Sequence, residues 1–256
     1  MIPACRAALS GVFTKPSHPG LLLASYLRTT GDKGAGKREL LKESAAALKH
    51  AKAVYELAFR RWQQETRDAA TQVLAVRGRL VLGLGAENVL ETGLTLHHTY
   101  GTPILPGSAL KGLASHYSHR VWGQNDPAFK SGGLHHRELF GATDDSGHIV
   151  FHDAWITPES LDAPNQGLIL DVMTPHHSKY YMAGNNDNQA APTDFDDPIP
   201  VAFLSVAGKF RVAVSCDVPG ESGQKWAQLA LQLLTEALAH WGVGGKTNSG
   251  YGRLDA

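Results

Sequence analysis

The sequence predicts an α+β fold, an elaborated RRM-like or ferredoxin-like α/β sandwich with long insertions and an N-terminal helical appendage. Three observations carry this. From residue 79 the hydrophobic periodicity reads β, α, β, a long insertion, then β, β, α, β. A doubly wound parallel sheet would need strand and helix to alternate throughout. Ahead of this core, residues 39 to about 76 read as one helical stretch with an apolar stripe. With 256 residues and 43% hydrophobic content, the chain has ample material for one large domain or a domain with a sizeable insertion.

Residues 15–38 are punctuated by Pro and Gly and read as loop around one short element. In the helical stretch that follows, Leu41, Ala45, Leu48, Tyr55, Phe59 and Trp62 recur at helical spacing, with Lys52 breaking the row. The opposite face is rich in Lys and Arg. Core packing is the first meaning of such a stripe, and a partner-helix surface is the second. Residues 79–98 suggest a strand, a turn and a second short strand. Ser108 to Trp122 reads as a helix, with Ser108 as its expected N-cap. Residues 148–156 alternate as a strand does. Residues 157–199 carry six Asp and five Pro and form a long excursion, of the kind that is functional or mobile. Val201–Val206 and Phe210–Val214 read as a strand pair around Ala207-Gly208. Gln224 to Trp241 is a second helix with Leu229, Leu233, Leu234 and Leu238 on its apolar face, and a glycine-rich loop and a last short strand follow. The expected division is 1–78, a loop and basic helical region packed on or beside the core, and 79–256, the core with its inserted loop around 157–199.

Composition excludes several functions. Cys5 and Cys216 are isolated, which argues against a zinc site or a disulfide framework and fits a reducing cytoplasm. No run of 18 apolar residues exists for a membrane span, and the N-terminus is a poor signal peptide. The net charge is zero, yet it is unevenly spread. Residues 1–79 hold 14 Lys and Arg against 6 Asp and Glu, while residues 80–256 hold 10 against 18. Such halves pack on each other or face different partners. A chain of zero net charge is not a free-standing, high-affinity RNA binder, but it fits a subunit that shares RNA with neighbours.

Two segments imitate a phosphate-binding P-loop. Gly31 to Lys37 fits until Arg38, where a magnesium-holding Ser or Thr is required. Gly245-Lys246-Thr247 lacks the first glycine, since His240 stands there, and only nine residues follow it, too few for the helix a P-loop opens. An NTPase is therefore excluded. The run Gly242 to Arg253 still has five glycines in the eleven residues to Gly252. Exposed N–H groups in such a loop form an anion nest, Lys246 and Arg253 bring charge, and Tyr251 brings a stacking face. The competing meaning is a tight helix-to-strand connection. Asp171 to Tyr181 interleaves His176, His177 and Lys179 with Tyr180 and Tyr181, as single-stranded nucleic acid requires; its competing meaning is an anchor tying the loop to the core. The 13 histidines form no metal-ligand motif, for adjacent histidines on an extended strand point to opposite faces and no HExxH appears. A His base for metal-independent RNA cleavage remains open, with nothing in the spacing to select one.

Together these segments resemble a known family. Ile104-Leu-Pro-Gly-Ser-Ala-Leu-Lys-Gly112 is similar to the segment that opens the first core helix of the RAMP superfamily, the CRISPR-associated RNA-binding proteins, and Gly242–Arg253 resembles their C-terminal glycine-rich loop. The middle segments Asp171–Tyr181 and Pro198–Val206 resemble RAMP subunits of the type III-B (Cmr) effector complex. The resemblance spans roughly residues 79–256.

It implies an RNA-binding structural subunit at the end of a backbone of related RAMP subunits, near the 3′ part of the guide RNA. Its partners would be guide and target RNA and the other backbone and capping subunits of the Cmr complex, with no membrane, metal or cofactor. Target cleavage in such complexes belongs to the repeated backbone subunit and an Asp in its loop, which no position here takes over, so no intrinsic catalysis is expected. The expected RNA contacts are Ser108, Lys111, Gly112, His176, His177, Lys179, Tyr180, Gly244, Gly245, Lys246, Thr247, Tyr251 and Arg253. Lys111, in the first turn of its helix, would address the same phosphate as the helix N-terminus. The alternatives are a RAMP-type metal-independent endoribonuclease with a His base and a subunit that touches protein only.

Overall fold

The structure is a computed structural model, and it describes residues 2–3, 18–27, 29–30, 34–86, 90–177, 191, 196 and 198–256. Strands β1 (Ile2–Pro3) and β2 (Thr29–Thr30) form a short antiparallel ladder. Between and after them lie α1 (Pro19–Ser25) and the long α2 (Ala35–Glu65). The core then runs β3 (Ala70–Arg77), β4 (Ile104–Leu105), α3 (Gly107–Tyr117), α4 (Gly123–Asn125), α5 (Leu134–Phe140), β5 (Ile149–Phe151), β6 (Ala154–Ile156), β7 (Gly167–Met173), β8 (Val201–Ala207), β9 (Lys209–Cys216), α6 (Gly220–His240) and β10 (Arg253–Asp255). Among the described residues no helix is long and apolar enough to cross a membrane.

The main sheet has the order β10-β3-β9-β6-β4, with β5 also paired to β9, and its pairings are antiparallel. Counting β5 and β6 as one broken strand, the order is that of a βαββαβ sandwich. The sheet alternation then separates two faces. Leu74, Phe210, Val212, Val214, Ile156 and Leu254 are buried on the even-numbered face. This face packs against α3, α5 and α6, where Leu110, Ala114, Leu233, Leu234, Ala237 and Leu238 complete the core.

The odd-numbered face is covered at one end only. Trp155 of β6 stacks on two rings of α2, Tyr55 at 5.6 Å and Trp62 at 5.5 Å between centroids. The Tyr55 hydroxyl, buried, donates to the Ile156 carbonyl at 2.6 Å. The apolar stripe read along this helix is therefore core, and Lys52, which breaks it, donates to both oxygens of Asp162. With Arg77–Asp255 and Lys37–Glu91, this pair joins the basic N-terminal part to the acidic remainder.

Several expectations are corrected. The helix predicted to about Val76 stops at Glu65: Thr66 leaves the helical dihedrals at φ −101° and ψ 19°, and the Arg67 and Ala69 N–H groups turn to the carbonyls three residues back, of Gln64 and Thr66. The next residues, Ala70–Arg77, carry Thr71, Val73 and Val76 and form a central strand. The first core strand thus lies inside the region 1–78 that was read as appendage. Among the described residues of 79–98 only isolated bridges form, Leu80 to Val206 and Leu96 to Pro103. The strands flanking Gly208 exist but do not pair with each other: β8 pairs with β7, and β9 with β3, β5 and β6. Gly208 has φ 135°, which directs the chain from one sheet into the other. The helix expected from Ser108 begins at Gly107, with Pro106 as N-cap.

Candidate nucleic-acid interface

The glycine-rich loop is a packed connection. It leaves α6 at Trp241 and lies against residues 79–82. Seven of its N–H groups, those of Gly242, Val243, Gly245, Ser249, Gly250, Tyr251 and Gly252, donate to carbonyls of the chain. These seven are not open to an anion. Gly244 and Gly252 have φ of 90° and 78°, and a Cβ on either would collide with a backbone carbonyl oxygen, of Val81 and Val243 respectively. The glycines thus answer first to close backbone packing. Lys246 differs, being a non-glycine residue at φ 60°, a strained position for a side chain. It and Thr247 are half-buried, and Gly244 is exposed.

Tyr251 is not free to stack as the sequence suggested. Its hydroxyl donates to Asp171 Oδ2 at 2.8 Å, and its ring faces Phe203 at 6.4 Å. Burial, with the Asp171 carboxylate beside it, pushes the phenol above its ordinary pKa. This bond joins the loop to the β7–β8 hairpin, whose β7 leads on to His176 and His177. His176 is exposed, and His177 Nδ1 lies 2.9 Å from Asp196 Oδ2, which closes the neck of the long excursion. Lys179 and Tyr180 lie outside the described residues.

The Pro106–Gly112 segment sits elsewhere. The first N–H of α3, that of Gly107, donates to Asp153 Oδ1 at 2.7 Å, so this helix end already holds a carboxylate. A side chain at Gly107 would collide with the Phe151 carbonyl, which explains the Pro-Gly-Ser sequence by close packing on β5. Ser108 and Gly112 are exposed and Lys111 is half-buried. The C-terminal end of α3 is the end that meets the loop, through Tyr117 Oη to His240 Nδ1 at 2.7 Å and the Tyr117 ring on Trp241. Ten residues at 1.5 Å each hold the helix start about 15 Å away. The contact with the loop is thus made by the end of α3 opposite to Ser108.

The structure adds a surface that the sequence reading missed. Over β10, β3 and β9 the odd-numbered face is partly open: Val73 in the middle strand is 43% exposed and Arg77 and Lys209 are exposed, while Arg211 and Arg253 are half-buried and Ala213 is buried. Arg77 and Arg253 stand directly opposite each other in register, and Arg211 stands opposite Val73 and Trp155. Lys209 shares the face, one alternation from Arg211. Asp255 is the carboxylate on these three strands, and Arg77 Nε donates to it at 2.6 Å. Among the described residues Arg211 and Arg253 have no carboxylate partner, and their Nε atoms are buried without an acceptor. Arg253, expected from its place after the loop, thus belongs to a larger cationic face. The signal was present in Lys209-Phe-Arg-Val-Ala-Val-Ser-Cys216, where polar and apolar residues alternate at first. Arg77 was hidden because its strand was read as helix.

Burial keeps His97, His136 and His152 below the usual histidine pKa. His136 pairs with Ser115 at 3.0 Å and His152 with Ser215 at 2.8 Å. Among the described residues no group of three or more His, Cys, Asp or Glu is placed to hold a metal.

Residues 73–255 match the family model described as the RAMP superfamily. The CRISPR system Cmr subunit Cmr6 of Pyrococcus furiosus is 33% identical over 257 residues, covering 78% of this chain and 73% of that protein. A chain in the cryo-EM structure of the type III-B Cmr-beta complex bound to cognate target RNA superposes with a TM-score of 0.62 at 20% identity, over 86% of this chain and 70% of that one. That likeness concerns the fold. The crystal structure of Cmr6 from Pyrococcus furiosus gives a TM-score of 0.47 at 31% identity, over 73% of this chain and 96% of that one.

Proposed function

From the premise that this chain belongs to the RAMP superfamily, and within it to the family of the type III-B Cmr6 subunits, we propose that it is a non-catalytic RNA-binding subunit of a cytoplasmic ribonucleoprotein effector. It holds guide and target RNA near the 3′ end of the guide and caps the backbone of related subunits. The observation that carries the reading is the open sheet face. Four cations, Arg77, Lys209, Arg211 and Arg253, surround an exposed apolar strand centre and share it with one carboxylate. Phosphates would meet the guanidinium groups, which are suited to bidentate contacts, and bases would lie over the apolar centre. The cations sit on β-strands, so the protein does not reorganise to receive the RNA.

Lys246 supports the same reading. A left-handed lysine costs about 1–2 kcal/mol relative to a relaxed conformation, and a phosphate contact gives a reason for keeping it there. Ser108, Lys111, Gly112, His176, His177 and Thr247 extend the proposed contacts beyond the sheet. The polar N–H groups of the loop hold the fold, and the affinity rests on side chains.

The test is guide-RNA binding by the purified chain across a salt series, in EDTA. The reading expects weak binding whose logarithm falls linearly with log salt, with intact RNA recovered. Replacing Arg77, Arg211 and Arg253 with Ala makes that slope shallower by about 0.7 for each single-strand phosphate the three side chains neutralise. Site-specific cleavage in EDTA would favour the endoribonuclease instead, and an unchanged slope would favour a subunit that contacts protein only.

A further inference from the structure

Among the described residues, helix α2 leaves one face without a partner. Its buried side carries Leu41, Leu48, Tyr55 and Phe59. On the opposite side Val54 is 63% exposed and Leu57 is 55% exposed, and Ala46 and Ala53 are exposed beside them. At 3.6 residues per turn, these four lie on one stripe. Val54 gives the helix nothing locally, since a β-branched residue is a weaker helix former than the Lys, Gln or Glu that an idle surface would carry. The charges around the stripe are mainly basic. Lys42, Lys49, His50, Arg60 and Arg61 are exposed along it, with Glu39 and Glu65 exposed at its two ends.

We infer that this face of α2 is a docking surface for a neighbouring protein subunit of the effector, one presenting an apolar patch bordered by Asp and Glu. The inference rests on the reading of the chain as an effector subunit. An apolar centre within a charged rim is the anatomy of a protein interface, and the basic excess of the rim sets the sign of the partner. RNA is the poorer occupant. A backbone-tracking helix gains nothing from aliphatic side chains at its centre, whereas the sheet face offers cations on fixed strands. The surface is also separate from that face: α2 meets the sheet through its Tyr55 and Trp62 side and turns this stripe away from it. One subunit could therefore hold RNA on the sheet and a neighbour on α2 together.

The test is reconstitution of the effector from its subunits and guide RNA, with this chain wild type, V54S/L57S or R60E/R61E. Incorporation is read by native mass spectrometry, guide-RNA affinity on the isolated chain, and folding by thermal melting. Docking predicts that V54S/L57S lowers the apparent affinity for the assembly by roughly ten-fold or more while melting and RNA affinity stay at wild-type values. R60E/R61E loses incorporation as well. Wild type entering the effector and V54S/L57S entering equally well overturns the docking proposal alone. So does loss of RNA affinity in isolated R60E/R61E with unchanged incorporation of V54S/L57S, which makes the stripe an RNA surface. A wild-type dimer that V54S/L57S dissolves assigns the stripe to a second copy and also overturns it. A wild-type chain that does not enter the effector overturns both readings.

Discussion

Gly252→Ala separates a structural glycine loop from a phosphate nest. Gly252 sits at φ 78°, its N–H donates to the Arg79 carbonyl at 2.7 Å, and its carbonyl accepts from Val243 at 2.8 Å. An alanine there takes the left-handed penalty, about 1–2 kcal/mol. Its Cβ also meets the Val243 carbonyl oxygen, which is backbone and cannot rotate away. Relief requires opening the two hydrogen bonds, each worth about 0.5–1.5 kcal/mol. The sum is about 2–5 kcal/mol. For a domain of this size it lowers Tm by roughly 5–15 °C. Thermal unfolding followed by circular dichroism measures it. Gly112→Ala is the internal control: Gly112 is helical and a Cβ there meets nothing within 4 Å, so that variant melts at or slightly above wild type. The reasoning is refuted if Gly252→Ala melts within about 2 °C of wild type while its RNA affinity falls, because the glycine would then serve close approach of RNA.

Three further outcomes follow from the same geometry. Asp153→Ala removes the carboxylate that accepts from Gly107 and costs about 0.5–2 kcal/mol in urea unfolding, with Asp153→Asn keeping most of it; equal losses for both would deny the capping role. Burial raises the Tyr55 phenol far above 10, so in the fold it stays protonated where the unfolded chain ionises. Its contribution to stability is then level below pH 10 and falls above it, and Tyr55→Phe flattens that alkaline fall while losing about 1–3 kcal/mol at neutral pH from the unpaired Ile156 carbonyl. His97, His136 and His152 have lowered pKa values, so the unfolded chain binds protons near its ordinary histidine pKa before the fold does. Tm therefore declines as pH falls through about 6.5, and a Tm independent of pH between 7.5 and 5 would contradict the burial of these rings.

The legible part of the sequence was the part governed by one-dimensional period. The stripe Leu41 to Trp62, the strand 148–156, and the helix ending at Trp241 follow from spacing alone, and all three lie in or beside the core. The boundary at Thr66 was not legible, since helical spacing carries on past it and a tight backbone turn ends the helix. Strand pairing was also hidden. Val201–Ala207 and Lys209–Cys216 look like a hairpin, but Gly208 sends them to different sheets and only tertiary partners decide this. The candidate site shows the same division. Arg253 was found through its motif, whereas Arg77, Lys209 and Arg211 become neighbours through the antiparallel register of β3, β9 and β10. Tyr251 was read as a free ring because nothing near it in sequence announces Asp171, 80 residues away.

The central claim is that RNA lies across the open sheet face of this subunit. Photo-crosslinking of guide RNA within the reconstituted effector, with the crosslinked peptides identified by mass spectrometry, tests it most directly. The account predicts crosslinks to residues 71–79, 209–215 and 246–253, weakened when Arg77, Arg211 and Arg253 are alanine. Crosslinks that spare these three segments, or a chain in the effector that crosslinks to no RNA, would contradict it.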